Sequence, residues 1–207
     1  LHNSSCFPHT THTAQKWKVC RKQEEFLMKA TGIVRRIDDL GRVVVPKEIR
    51  RTLRIKESDP LEIFTDRDGK IILKKYSPIG ELGDFAKEYA QSLAQVSGYT
   101  VCIADHDQII AASGKRAKEY AGRLIDEELE TVILNRKTVK LAKKEAVRLT
   151  QNDAGGYQSQ VISVITSLGD CVGAVIIFSE NGETELGETE IKLAKAAAGF
   201  LGRQMEQ

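Results

Sequence analysis

The sequence predicts an α+β protein, with a small basic β-rich module followed by a larger module of mixed strands and helices. Three observations predict it. Apolar and basic residues alternate from Thr31 to Val45, the period of a half-buried strand. Apolar strand-like runs and helix-period stretches then fill residues 81–206. Charge is also partitioned: residues 28–77 carry 13 basic and 8 acidic side chains, net +5, whereas residues 78–207 carry 14 and 19, net −5. The formal +2 of the 207-residue chain therefore conceals one half suited to a polyanion and another with a different task.

No apolar run approaches the ~20 residues that span a bilayer, so no transmembrane helix and no membrane partner are expected. The four cysteines are Cys6, Cys20, Cys102 and Cys171. They form no close-spaced framework, which favours a reducing cytoplasm.

Residues 1–27 hold three of the four histidines and no repeating apolar pattern, and Met28 reads as a natural start. The expectation is a non-native leader, outside the fold. Cys6, His9, His12 and Cys20 match no common zinc spacing.

From Thr31 to Ile37 the pattern suits a strand, Asp38 to Gly41 a turn, and Arg42 to Val45 a second strand. Pro46 suits the first position of a helix. Ile49 and Leu53 lie on one helical face, leaving Lys47, Arg50, Arg51 and Arg54 outward. Ser58-Asp59-Pro60 breaks the chain. Strands Leu61–Thr65 and Lys70–Lys75 follow, joined through Asp68-Gly69, a strong hairpin signal. Fifty residues with short strands and one helix make a thin core that needs a staple, a metal or a partner chain. With no cysteine pair or histidine cluster inside it, an obligate dimer is expected.

Gly32-Ile33-Val34-Arg35, Leu40-Gly41-Arg42-Val43-Val44-Val45-Pro46, the helix with Arg50-Arg51, and Leu61-Glu62-Ile63 through Ile71–Tyr76 resemble the AbrB-type swapped-hairpin DNA-binding domain. The resemblance implies that two chains exchange hairpins into one dimeric barrel, and that Arg35, Arg42, Arg50 and Arg51 contact DNA. Arg36 and Lys47 join the candidate set, although a solvated charge explains Arg36, like Arg54, Arg67, Lys74 and Lys75, as simply. Clustered cations are rewarded on a duplex by counterion release, and arginine suits bidentate contact with phosphate or guanine. Phe64 and Tyr76 are the only aromatic residues of this module, which points to double-stranded DNA rather than base stacking.

Residues 78–97 read as a punctuated linker and signalling helix, with Leu82, Phe85, Ala86, Tyr89, Leu93 and Val96 at helical spacing and Gly98 as its stop. Tyr99–Ala104 and Gln108–Ser113 read as an antiparallel pair, and Tyr120–Arg136 as an acidic helix. Lys137–Thr150 suits a short strand and a basic loop. Gln160–Ser167 and Asp170–Ser179 are the clearest strands. In the last helix, Glu185–Glu206, residues Ile191, Ala194, Ala198, Leu201 and Met205 fall at coiled-coil steps, with Leu193, Ala197 and Phe200 opposite.

This order across residues 80–207 resembles a GAF domain, with residues 98–207 as the module after the signalling helix. The resemblance implies a regulatory or oligomerising α/β module with no cofactor, or with one unidentified small-molecule ligand between sheet and helices. Cys102 and Cys171 read as buried inert thiols, His106 as a polar hairpin tip, and Asp153-Ala154-Gly155-Gly156-Tyr157 as a loop lacking the lysine of a P-loop. No catalytic or metal site emerges. Together the two resemblances imply a sequence-specific, double-stranded DNA-binding transcription regulator of sporulation-type genes, activator or repressor. It would self-associate as a swapped dimer and a dimer of dimers. An antitoxin using the same N-terminal fold and a GAF-type redox enzyme are the alternatives.

Overall fold

The computed structural model describes residues 31–57 and 59–206. The leader, its cysteines and histidines, Met28 and Ser58 lie outside the described residues. The chain divides into two compact units, Leu1–Ile49 and Arg50–Gln207.

In the described part of the first unit, the strands expected at Thr31–Ile37 and Arg42–Val45 form no ladder. Only the turn between them is closed, by Asp38 N–H to Arg42 O and Gly41 N–H to Asp38 O, both 3.0 Å. The physical reason is a missing surface to lie on. Val34 is 84% exposed and Val44 72%, so these side chains bury nothing that would offset the ordering of a strand.

Helix α1, Lys47–Thr52, spans the unit boundary. Its end is a Schellman arrangement: Ile55 N–H donates to Arg50 O (2.7 Å) and Arg54 N–H to Arg51 O (3.3 Å). Arg54 occupies the left-handed position, φ 52°, where glycine is usual. Strands β1, Leu61–Thr65, and β2, Ile71–Lys75, then form the expected antiparallel hairpin.

The remainder is built on a five-stranded antiparallel sheet. Its strands are β3 (Thr100–Ala104), β4 (Ile109–Ser113), β5 (Val139–Ala142), β6 (Tyr157–Ser167) and β7 (Asp170–Glu180), in the spatial order β4-β3-β7-β6-β5. Five helices among the described residues accompany it: α2 (Pro78–Glu81), α3 (Gly83–Ser97), α4 (Ala117–Tyr120), α5 (Glu127–Leu134) and α6 (Glu188–Gln204). Alternation along β3 and β7 sends Val101, Ile103, Val175 and Ile177 to the face packed with α3 and α6. Cys102, Ala104, Ile176 and Phe178 go to the opposite face, with Leu129 and Ile133 of α5. Both faces are covered, so the central strands read as continuous apolar runs rather than as polar-apolar alternation.

One further expectation is corrected. Tyr120–Arg136 is not one helix: α4 ends at Tyr120, Leu124 and Ile125 make β-bridges to Gln108 and Thr150, and Asp126 caps a new helix through Glu128 N–H at 3.1 Å. Asp126 halts the register because its carboxylate satisfies the first turn of α5. The seam at Ala194, Ala198 and Leu201 is fully or nearly fully buried within its own chain. Gly202 shows how close α6 lies to β6, since a Cβ there would stand 2.1 Å from Thr166 O. Phe200 instead meets Phe85 and Tyr89 of α3, with ring centroids at 5.9 and 5.4 Å.

Candidate nucleic-acid interface and its junction with the sheet

Among the six expected DNA-contact residues, Arg35, Arg36, Arg42, Lys47 and Arg51 are exposed and Arg50 is half-buried. Lys47, Arg50 and Arg51 share α1. Arg35 donates to the neighbouring Val34 O, at 3.2 Å. Arg42 is more constrained than its sequence suggested: Nε lies 2.8 Å from Asp38 Oδ2, and its own N–H donates to Asp38 Oδ1 at 2.7 Å. These bonds, the backbone one foremost, hold the Asp38 carboxyl below its ordinary value. The pair pre-sets the arginine at the tip of its turn while leaving its side chain 69% exposed.

Beyond the basic helix, sequence reasoning missed the roles of Lys75 and Arg54, for which a solvated charge was the expectation. The Lys75 side chain is only 20% exposed, and its Nζ lies 2.7 Å from Asp107 and 3.1 Å from Asp59. It also donates to Arg54 O at 3.2 Å. Burial pulls the Lys75 pKa down, but the two carboxylates outweigh it and the net shift is upward. Ser77 Oγ donates to Asp105 Oδ2 at 2.8 Å. His106 Nε2 is 2.6 Å from Cys171 O. The Asp105-His106-Asp107 turn therefore receives the end of β2 and the start of α2 on one side and β7 on the other. The signal available in the sequence was two aspartates flanking a histidine at a hairpin tip, which alone names no partner.

The sheet face carrying α5 is filled: Leu129, Ile133, Ile162, Ile176 and Phe178 are 0% exposed. At its edge, Tyr120 and Tyr157 share a 3.0 Å hydroxyl contact, and Tyr157 also donates to Asp153. Burial raises the Tyr120 phenol to about 12 and pushes Tyr157 up as well. Asp153 further accepts from Leu149 N–H and Gly155 N–H, both at 2.8 Å, so the glycine-rich loop is pinned at its aspartate. Burial also raises both thiols, Cys102 strongly, which disfavours thiolate chemistry at either. Among the described residues no group of three or more His, Cys, Asp or Glu is placed to hold a metal ion. No helix among them is long and apolar enough to cross a membrane.

Residues 81–206 match the family model for the stage V sporulation protein T C-terminal, transcription factor. Stage V sporulation protein T of Bacillus subtilis is 56% identical over 180 residues, covering 87% of this chain and all of that protein. The chain belongs to the stage V sporulation protein T family. It is a transcription factor of that family, and the charge partition between its modules takes on meaning accordingly. Residues 34–81 of this stage V sporulation protein T relative also match the model for antidote-toxin recognition MazE, bacterial antitoxin. The transition state regulatory protein AbrB of Bacillus subtilis is 69% identical over 51 residues, covering 25% of this chain and 52% of that one. The second GAF domain of DevS from Mycobacterium smegmatis superposes with a TM-score of 0.50 at 11% identity, over 63% of this chain and 94% of that one. That likeness gives the C-terminal module of the stage V sporulation protein T family chain a GAF fold.

Proposed function

We propose that the chain regulates transcription by gripping double-stranded DNA with a swapped dimer of residues 28–77, using Arg35, Arg42, Arg50 and Arg51, with Arg36 and Lys47 beside them. Residues 78–97 link this body to a GAF-like module, 98–207, that tunes DNA binding or assembly. The observation carrying the reading is that one short segment exposes both its cations and its apolar side chains. Ile37, Val43, Ile63 and Ile71 are each more than half exposed. A lone segment gains nothing by that, whereas a second copy would bury the apolar set and double the positive field. The aromatic group Phe85, Tyr89 and Phe200 supports a second interface and hence a dimer of dimers, and the free thiols of Cys102 and Cys171 fit a reducing cytoplasm.

The test combines sedimentation with duplex titration across salt. A dimer or tetramer whose affinity falls steeply with salt is expected; a stable monomer, or one indifferent to duplex at low salt, would overturn the reading. Operator affinity of the full chain and of a truncation after Ser77 tests tuning, because identical affinity and stoichiometry would remove it.

The MazE match favours a second reading, an antitoxin. Its match stops at residue 81, and the following sheet is closed on both faces, unlike a tail that folds only on a toxin. The chain is proposed to be non-catalytic. Retained function in Cys102→Ser and Cys171→Ser variants is expected; loss of a peroxide or sulfoxide turnover in either would revive the redox reading.

A further inference from the structure

Three non-glycine residues have left-handed backbone among those described, and two of them, Arg136 and Leu168, line one cleft of about 730 Å³. Leu168 and Gly169 form the two-residue turn between β6 and β7, with φ 50° and 88°. Asn, Asp or Gly is normally found at the first of these positions. A leucine there sets its Cβ against the following carbonyl oxygen, and at 83% exposure it recovers nothing by burial. Arg136, φ 56°, follows α5 and is tied to the same turn through Nη1 to Gly169 O at 2.8 Å. Its Nη2 has only a 3.9 Å approach to Asp170, and the side chain is 58% exposed. Strain of this kind clusters at ligand sites and switch regions.

The rest of the lining says what would fit. Leu134 and Tyr76 are exposed at 57% and 39% and, with Leu168, supply apolar wall. Asp59 and Asp107, also on the lining, share the single ammonium of Lys75, and with Asp105 and Asp170 the cleft carries four carboxylates against Lys75 and Arg136, so negative charge is in excess there. A plain anion would meet that excess, and a plain cation would meet Arg136. A molecule carrying both charges satisfies both, and the volume lies in the range of small-molecule sites, roughly 300–1,000 Å³.

We propose that this cleft binds a small apolar zwitterion of dipeptide size, its carboxylate on Arg136, its ammonium toward Asp59 and Asp107, and its side chains on Leu168 and Leu134. The site lies apart from the filled sheet face under α5, and it goes beyond the regulator reading because occupancy does not require any effect on DNA.

The test uses the full chain with leucyl-leucine as probe, by calorimetry and saturation-transfer NMR. N-acetyl-leucyl-leucine, lacking the ammonium, and leucyl-leucinamide, lacking the carboxylate, serve as half-ligands. Saturable binding of the dipeptide is expected, weakened about tenfold or more for each half-ligand and in Arg136→Gln, since each of these removes a charge-assisted hydrogen bond. Leu168→Asn, which suits the turn, should raise the melting temperature while weakening the dipeptide. The proposal is overturned if the dipeptide gives no saturation transfer, if both half-ligands bind as well as it does, or if neither variant alters binding. It is equally overturned if Leu168→Asn dissociates the assembly in sedimentation with dipeptide binding intact, for then the cleft is an interface between copies. Operator titration with and without dipeptide separates the two ideas: binding without a change in operator affinity leaves the site standing and removes ligand control.

Discussion

Asp38 and Asp66 hold their turns with the same set of bonds. Each Oδ1 accepts from the amides two and four residues on, at 3.1 and 2.7 Å for Asp38 and 3.0 and 2.8 Å for Asp66. Each Oδ2 holds the cation four residues on, Arg42 at 2.8 Å and Lys70 at 3.0 Å. Each turn passes through a glycine with left-handed φ, 76° at Gly41 and 79° at Gly69. Two segments of the chain thus use one Asp-x-x-Gly-cation device, and in both the acid fixes where a positive side chain emerges.

That device has a pH signature. Backbone and side-chain bonds from Arg42 and Lys70 lower both carboxyls from 3.8. A depressed folded pKa gives stability that is present above the ordinary value and lost as pH falls through the folded one. The Gly41 and Gly69 amide resonances should therefore shift together only below that ordinary value. Midpoints at or above it would mean the carboxylates do not hold the turns.

Arg42→Ala and Arg51→Ala should each weaken duplex binding while leaving the assembly intact. Removing one phosphate-bound cation should reduce the salt slope by about 0.9. Isotherms matching the parent across a salt series would take that arginine out of the interface.

Arg54→Gly relieves a left-handed arginine at the end of α1. Its side chain gives up only a 3.5 Å bond to Ile125 O. A gain of about 0.5–1 kcal/mol in denaturant unfolding is expected, and a loss of stability would show that the arginine side chain outweighs its backbone.

Gly199 and Gly202 sit one turn apart on α6 and should respond oppositely to alanine. A Cβ at Gly199 meets nothing within 4 Å, whereas one at Gly202 runs into the Thr166 carbonyl. Gly199→Ala should stabilise by up to about 1 kcal/mol through helix propensity, and Gly202→Ala should destabilise by about 1–3 kcal/mol. Melting temperatures moving the same way would contradict the packing of α6 on β6.

Lys75→Met removes one ammonium from two carboxylates and a carbonyl. At 20% side-chain exposure the loss should be on the order of 1 kcal/mol. Hydrogen exchange should rise first at the end of β2 and in the Asp105–Asp107 turn. Uniform exchange across the sheet would mean that Lys75 tethers nothing locally.

What depends on neighbours along the chain was legible in the residues. The hairpin at Asp68-Gly69, the strand-like apolar runs inside β6 and β7, and the stop of α3 at Gly98 each follow from local turn chemistry or from the two-residue period. The position of the basic charges was equally plain, because the composition changes sign near Ser77. Tertiary structure alone decided the rest. Whether Lys75 was solvated or clamped depended on Asp59 and Asp107, which no spacing rule connects to it. The alternating steps of α6 fitted a partner helix as well as a sheet, until Gly202 set it against Thr166. Nothing in the residue types around Leu168 marks the left-handed backbone angle it holds, a conformation leucine avoids. Local periodicity fixes the direction a side chain takes from its own element, but what it meets there is set by chain brought in from far along the sequence.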